Sequence, residues 1–243
     1  MASTSEVGHA KNVANFEDLI EFVNSYGTNY NPSKRALQSN ELNSLLEKAK
    51  LKLNGVIVQN TAFNNAVNER ATAFSNVRKL STRLINALEV TDASEKTVKD
   101  AKGFNQKIQG KRAKTTPKPV DPDAPAPKTI STSQQSFDQI IQHLTGLKEV
   151  LRAESSYSPN EVELQVRTIN DKIEALDRSN KLVAAAFTSI SNTRIDRNET
   201  LYNSQDALTT VAQEVKKYIK SVYGATSPQY KQVSGISFRK VNT

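Results

Sequence analysis

Apolar residues return at three- and four-residue steps through most of the chain, the spacing that places them on one side of a helix. Phe16, Leu19, Ile20 and Val23 predict a first helix, with Asn15 as its N-cap, Glu17 and Asp18 in its first turn and an end before Gly27. Asn31-Pro32 restarts the chain, since proline at a first helical position loses no needed hydrogen bond. Leu37, Leu42, Leu45, Leu46, Ala49, Leu53, Val56 and Ile57 then predict a long second helix. The Asn-rich stretch at residues 60–70 predicts a turn or break, the alternative being one helix running on to residue 88. Phe74, Val77, Leu80, Leu84, Ile85 and Leu88 mark a third helix, and Asp92 or Ser94 caps a short one reaching about Gln109.

The same writing occurs twice. Shifted by 127 positions, residues 30–88 lie ungapped on residues 157–215, with about one position in five identical and apolar positions falling on apolar positions. Tyr30, Pro32, Leu37 and Gln38 fall on Tyr157, Pro159, Leu164 and Gln165, and Arg70, Asn76 and Thr82 fall on Arg197, Asn203 and Thr209. Phe137-Asp138-Gln139-Ile140-Ile141 matches Phe16-Glu17-Asp18-Leu19-Ile20 at a shift of 121, which gives the second copy a longer first helix ending near Glu154. Self-similarity over this length points to a duplicated helical unit. The second copy then repeats the plan: a restart at Ser158-Pro159, a long helix lined by Leu164 to Ile190, a polar break over residues 192–199, and a last helix from Leu201 to Val222 closed by Gly224. Ser227-Pro228 reads as a further cap, and Val233, Ile236, Phe238 and Val241 as a short strand or extended arm.

Between the copies, residues 110–132 hold five of the eight prolines, at Pro117, Pro119, Pro122, Pro125 and Pro127. Proline fixes φ and favours extended neighbours, so this stretch predicts a semi-rigid linker. Its Pro119-Val120-Asp121-Pro122 also fits a ligand for a proline-reading domain. The expected organisation is a disordered tail at 1–12, a first unit at 13–109, the linker at 110–132 and a second unit at 133–243. The fold class is all-α: two duplicated units of about three helices, packed antiparallel at the shallow angles of coiled coils and bundles.

Composition fits this reading. Of 243 residues, 37% are hydrophobic and 6% aromatic, there is no Trp, and mean hydropathy is −0.56. A core that thin suits long helices with narrow apolar stripes better than a large sandwich or doubly wound sheet. With no cysteine, disulfides, thiolate metal sites and thiol catalysis are excluded. No leader pattern and no run of about 18 apolar residues appears, so the expected location is the cytoplasm. The tail Tyr223-Gly224-Ala225-Thr226-Ser227-Pro228-Gln229-Tyr230-Lys231-Gln232-Val233 resembles the ends of uncharacterised, duplicated, all-helical bacterial proteins. That resemblance covers little of the chain and brings no activity or site residue with it.

The formal net charge is +8, with an isoelectric point near 9.5. Residues 1–113 carry 16 Lys and Arg against 11 Asp and Glu, and residues 133–243 carry 14 against 12, so the excess is spread thinly. One cluster stands out, at Lys96, Lys99, Lys102, Lys107, Lys111, Arg112 and Lys114. A nucleic-acid surface would use such a cluster, with Lys107, Lys111 and Arg112 as the contacts, but only Phe104 supplies an aromatic ring for stacking. A solvated helix end accounts for it more simply.

Catalytic and cofactor motifs are not found. Gly103 to Lys111 has six residues between its glycines rather than the four of a phosphate-cradling loop, and Arg112 stands where Ser or Thr would hold the metal. The two histidines, His9 and His143, have no second histidine at ligand spacing, so no metal is expected and His143 reads as a helix-surface or boundary residue. The acid groups Glu17/Asp18/Glu21 and Glu161/Glu163 lie at predicted helix starts, where the helix dipole accounts for them. Arg70 and Arg197, each preceded by an acid (Glu69, Asp196), recur at the predicted turn of both copies. They fit either an anion or partner contact or a local salt bridge that fixes the turn. The expectation is a non-enzymatic structural or protein-interaction module with no cofactor, which binds a partner chain or itself; nucleic-acid binding is the alternative.

Overall fold

The computed structural model describes residues 8–110 and 134–241. The chain is all-helical, and no strand occurs among the described residues. Helix α1 spans His9–Ser25, α2 Ser39–Phe74, α3 Val77–Glu89 and α4 Glu95–Gln109. Helix α5 spans Phe137–Ala153 and α6 Val166–Asn198, which runs on into a π turn at Glu199–Asn203. Helix α7 spans Leu208–Tyr223 and α8 Pro228–Ser234. The expected linker beyond Gly110, with Lys111, Arg112 and Lys114, lies outside the described residues.

Local chemistry sets several boundaries where the sequence placed them. Ser94 caps α4 by accepting from the Thr97 N–H at 3.2 Å, and Gly110 closes it at φ 73°. Ser227 caps α8 by accepting from the Tyr230 N–H, with Pro228 in the first turn. Gly224 ends α7 at φ 89°, a left-handed angle that only glycine adopts cheaply.

Elsewhere the structure corrects the expectation. Helix α1 begins at His9, not beyond residue 12, so the tail reading fails for the described residues and Asn15 sits inside the helix rather than capping it. Its first turn holds no acid, so the dipole does not account for Glu17, which instead meets Lys50 at 2.6 Å. The prolines at 32 and 159 do not open helices. Each precedes an irregular stretch and a 3₁₀ turn, at Arg35–Leu37 and Val162–Leu164. The Asn-rich stretch does not break α2, and residues 192–198 continue α6. Asn costs only a few tenths of a kcal/mol of helix propensity per residue, too little to interrupt helices of 36 and 33 residues. Helices α1 and α5 are both 17 residues long, so the extra length expected from the 121 shift is absent. Their buried residues Phe16, Leu19 and Val23 against Leu144, Leu147 and Leu151 correspond at a shift of 128 instead. After α8 the chain is irregular rather than a strand, and Ile236, Phe238 and Val241 pack on the core.

The chain forms two compact units, one of residues 1–63 and 186–243 and the other of residues 64–185. These are not the sequence units expected at 13–109 and 133–243. Helices α2 and α6 are each long enough to give their first part to one unit and their last part to the other. The first unit buries Phe16, Leu19 and Ile20 of α1, Leu42, Leu46 and Ala49 of α2, and Leu208, Val211, Val215 and Ile219 of α7. The second buries Phe74, Leu84, Leu88, Ala101, Ile108, Leu144, Leu147, Leu151, Ile169 and Leu176. Each core therefore draws on both sequence halves.

Within the first unit, Lys52 meets Asp196 at 3.1 Å, Gln59 accepts from Ser189 Oγ at 2.8 Å, and the rings of Phe63 and Phe187 lie 6.0 Å apart. Residue numbers rise on α2 as they fall on α6. In the second unit, Lys172 of α6 donates to the Ala73 carbonyl at 2.8 Å, at the end of α2.

At the 127 shift, burial repeats as well as residue type. Leu37/Leu164, Leu42/Ile169, Ala49/Leu176, Phe74/Leu201, Leu84/Val211, Ile85/Ala212 and Leu88/Val215 are all buried. The Tyr30 hydroxyl donates to the Leu37 carbonyl at 2.8 Å, and the Tyr157 hydroxyl to the Leu164 carbonyl at 2.8 Å. Burial is the main cause that raises both phenol pKa values, that of Tyr157 to about 12. Tyr30→Phe and Tyr157→Phe each orphan a buried carbonyl, so each is expected to cost about 1–3 kcal/mol in urea unfolding. The two costs should agree closely; a loss at one tyrosine alone would show that the two turns are not equivalent.

Candidate functional site

The two recurring arginines do not make the same site. Arg70 belongs to the second unit and Arg197 to the first, and each has its own partners. Neither pairs with the acid before it. Asp196 turns to Lys52, and neither arginine forms an ion pair among the described residues. The local salt bridge expected at a turn is absent because there is no turn.

Arg70 is held within its own unit. Its Nη1 donates to Asn180 Oδ1 at 2.9 Å, and its guanidinium carbon lies 4.1 Å from the Phe137 ring centre. Asn180 in turn donates to Asp138, in the first turn of α5. The buried Nε has no partner. Ring and amide together roof this cation over.

Arg197 is in a different situation. The residue is 6% exposed, and its Nε and Nη2 donate to Asn198 Oδ1 at 3.1 and 2.9 Å. Burial lowers its pKa; the Tyr202 hydroxyl opposes that and Arg194 adds to it. Arg197 lines a groove of about 500 Å³ with Val56, Ile57, Asn60, Thr61 and Arg194. Arg194 is exposed and makes no ion pair or hydrogen bond among the described residues. The groove lies where the apolar seam of α2 runs out: Leu42, Leu46, Ala49 and Leu53 keep helical spacing, and the next positions on that stripe are Val56 and Asn60.

Beside Arg197 a polar cluster ties the chain ends together. Tyr202 Oη accepts from Asn12 Nδ2 at 3.1 Å and stands 2.8 Å from His9 Nδ1. Asn12 also donates to the Arg239 carbonyl at 2.7 Å and accepts from its N–H at 3.1 Å. Asn15 donates to the Ser237 carbonyl at 2.7 Å, and Lys216 to the Ser234 and Ile236 carbonyls at 2.8 Å. Burial raises the Tyr202 pKa, against the Asn12 hydrogen bond and the Arg197 charge. These side chains satisfy irregular backbone at residues 234–239 and leave the groove itself to Arg197.

The basic cluster is partly spent inside the second unit. Lys102 pairs with Glu89 at 2.5 Å, and the Lys107 ammonium lies 5.7 Å from the Phe104 ring centre. A second groove, of about 470 Å³ between Arg83, Val90, Tyr157, Pro159 and Glu161, has its cation answered, because Arg83 pairs with Glu163. That leaves the groove at Arg197 as the one of these two whose charge has no counterpart. No group of three or more His, Asp or Glu among the described residues could hold a metal ion.

His143 corrects its surface reading: it is 5% exposed and its Nε2 has no partner. Burial, and then the Lys107 charge, lowers its pKa below the ordinary 6.5. His9 shifts the same way, through burial and then Arg197. A folded value below the unfolded one favours the neutral ring in the fold. This contribution is therefore complete above about pH 6.5 and is lost as pH falls below it. The urea midpoint of the wild type is expected to drop between pH 7 and 5 more steeply than that of His143→Gln. Parallel profiles would show that His143 titrates freely.

Comparison with protein-family models, with curated proteins and with solved structures finds no match. No helix among the described residues is long and apolar enough to cross a membrane.

Proposed function

We propose that this chain is a non-enzymatic protein-interaction module, built from a duplicated antiparallel helical unit and acting in the cytoplasm. The repeated burial at the 127 shift and the two matching tyrosine bonds support the duplication. The observation that carries the binding role is exposure of large apolar side chains on α2 and α6. Leu51, Ile57 and Val58 of α2 and Phe187 and Ile195 of α6 are each more than half exposed. Leu51 and Val58 are two helical turns apart and so share a face. Single exposed apolar residues need no explanation, but five on two helices within one compact unit support the reading of a surface to be covered. The occupant is a segment of a partner protein.

A photo-crosslinking residue placed at Ile57 or Phe187 tests this in the native cell. Both positions should trap the same partner, and a probe at exposed Lys99 should not. Ile57→Ser with Phe187→Ser should then weaken the purified complex by about tenfold or more, the loss of roughly 1.4 kcal/mol of burial. Sedimentation across concentration reads the other occupant, a second copy. A strict monomer with no adduct at either position would end the proposal. Nucleic acid on the Lys96–Lys114 stretch is less well supported, because Lys102 is already paired with Glu89. Salt-sensitive retention on DNA, weakened by Lys107→Gln, would revive it.

A further inference from the structure

The groove at Arg197 says more about what such a partner carries. A guanidinium taken out of water costs free energy unless a countercharge answers it. Arg197 is 6% exposed, is bonded only to the neutral Asn198 Oδ1, and forms no ion pair among the described residues. The acid next to it in sequence is engaged by Lys52. Arg194, the other cation of the groove, is exposed and unbonded. Two arginines three residues apart on α6 share one face, so their forks converge on one space. Opposite them stand Val56 and Ile57, with the amide of Asn60 and the hydroxyl of Thr61 beside them. The Thr61 hydroxyl already donates to the Ile57 carbonyl at 3.0 Å, which leaves its lone pairs rather than its proton facing out.

We infer that this groove takes an acidic segment of a partner protein, seating a carboxylate on Arg197 and Arg194 and an adjacent apolar side chain against Val56 and Ile57. Guanidinium matches the two oxygens of a carboxylate in a planar, bidentate way. Phosphate shares that match, but a bare phosphate gains nothing from the apolar wall. The net charge of +8 favours an acidic partner as well. This inference rests on the interaction reading above and adds to it the chemistry of the occupant.

The test follows the Arg197 side-chain Nε–Hε resonance in the full chain, assigned by its loss in Arg197→Lys. The probes are acetate, inorganic phosphate, the peptide acetyl-Leu-Glu-Leu-Glu-Leu-amide and its Gln counterpart, all at one ionic strength. The Glu peptide should shift the resonance saturably, and at lower concentration than acetate or phosphate. The Gln peptide should not shift it. Arg194→Gln, at an exposed residue with no partner to lose, should keep the melting temperature and weaken the Glu peptide by about tenfold, the loss of one charge-assisted hydrogen bond. No saturable shift, an equal response to the Gln peptide, or an unchanged affinity in Arg194→Gln would each overturn the inference. Tighter binding of phosphate than of the Glu peptide would overturn it too, by assigning the groove to phosphate groups. The two readings fail separately. Cross-links at Ile57 and Phe187 without an Arg197 response leave a partner with no carboxylate here, and an Arg197 response without cross-links leaves a small acid and no partner chain.

Discussion

Leu147→Ala is expected to destabilise the second unit by about 2–5 kcal/mol, read as a shift in the urea midpoint. Leu147 is fully buried in a core it shares with Leu84, Leu88, Ile108 and Leu144. Cutting it to a methyl removes apolar contact and leaves a cavity whose walls stand on three helices, α3, α4 and α5, so collapse is limited. Native-state hydrogen exchange should show protection lost first at Val77–Leu88 and Leu144–Leu151. Leu19→Ala, equally buried in the first unit, should cost the same range. A change below about 1 kcal/mol at either position would mean that the side chain is not in a close-packed core.

The second large effect comes from adding an atom rather than removing one. Gly146 lies inside α5, where alanine would ordinarily gain about 1 kcal/mol of helix propensity. A Cβ there would stand 2.6 Å from Phe104 Cζ and 2.9 Å from its Cδ1, far inside van der Waals contact. Phe104 is packed against the second core, so moving its ring aside gives up buried contact and overpacking should win. Gly146→Ala is expected to lower stability by about 1–3 kcal/mol net. In a Phe104→Leu background the same change should cost less, with a coupling of about 1 kcal/mol in the double-mutant cycle. Stabilisation by Gly146→Ala would show that α4 and α5 are not in close approach here.

What could be read from the chain was whatever is periodic. The stripe Phe74, Val77, Leu80, Leu84, Ile85, Leu88 gave α3 except that Phe74 ends α2, and Ser94, Gly224 and Ser227-Pro228 gave helix ends, because caps act within one turn. What could not be read depended on distant partners. Asn12 and Asn15 look like tail and cap, yet they are buried because their amides meet backbone 227 and 222 residues away. The stretch at 60–70 looks like a break because Asn is a weak helix former, and nothing local reports that Gln59 and Arg70 meet Ser189 and Asn180. The 127 shift pointed to Arg197 as a repeated residue, but not to the burial that sets it apart from Arg70. Arg194 has no repeated counterpart, since Val67 stands at its equivalent position, so no signal marked it. The compact units differ from the sequence units for a plain reason: similarity along the chain says which segments are alike, and not which ones share a core.

That sharing changes what a severed chain can do. If the backbone is cut anywhere between Gly110 and Gln134, the amino-terminal piece keeps α1 without α7, and α3 without α5. Neither fragment owns a complete interior, so each alone should be a loose, sticky polypeptide, and mixing the two should restore both folded bodies at once. On that expectation the protein would serve as a split reporter, in which reassembly of the halves and the return of structure are one event.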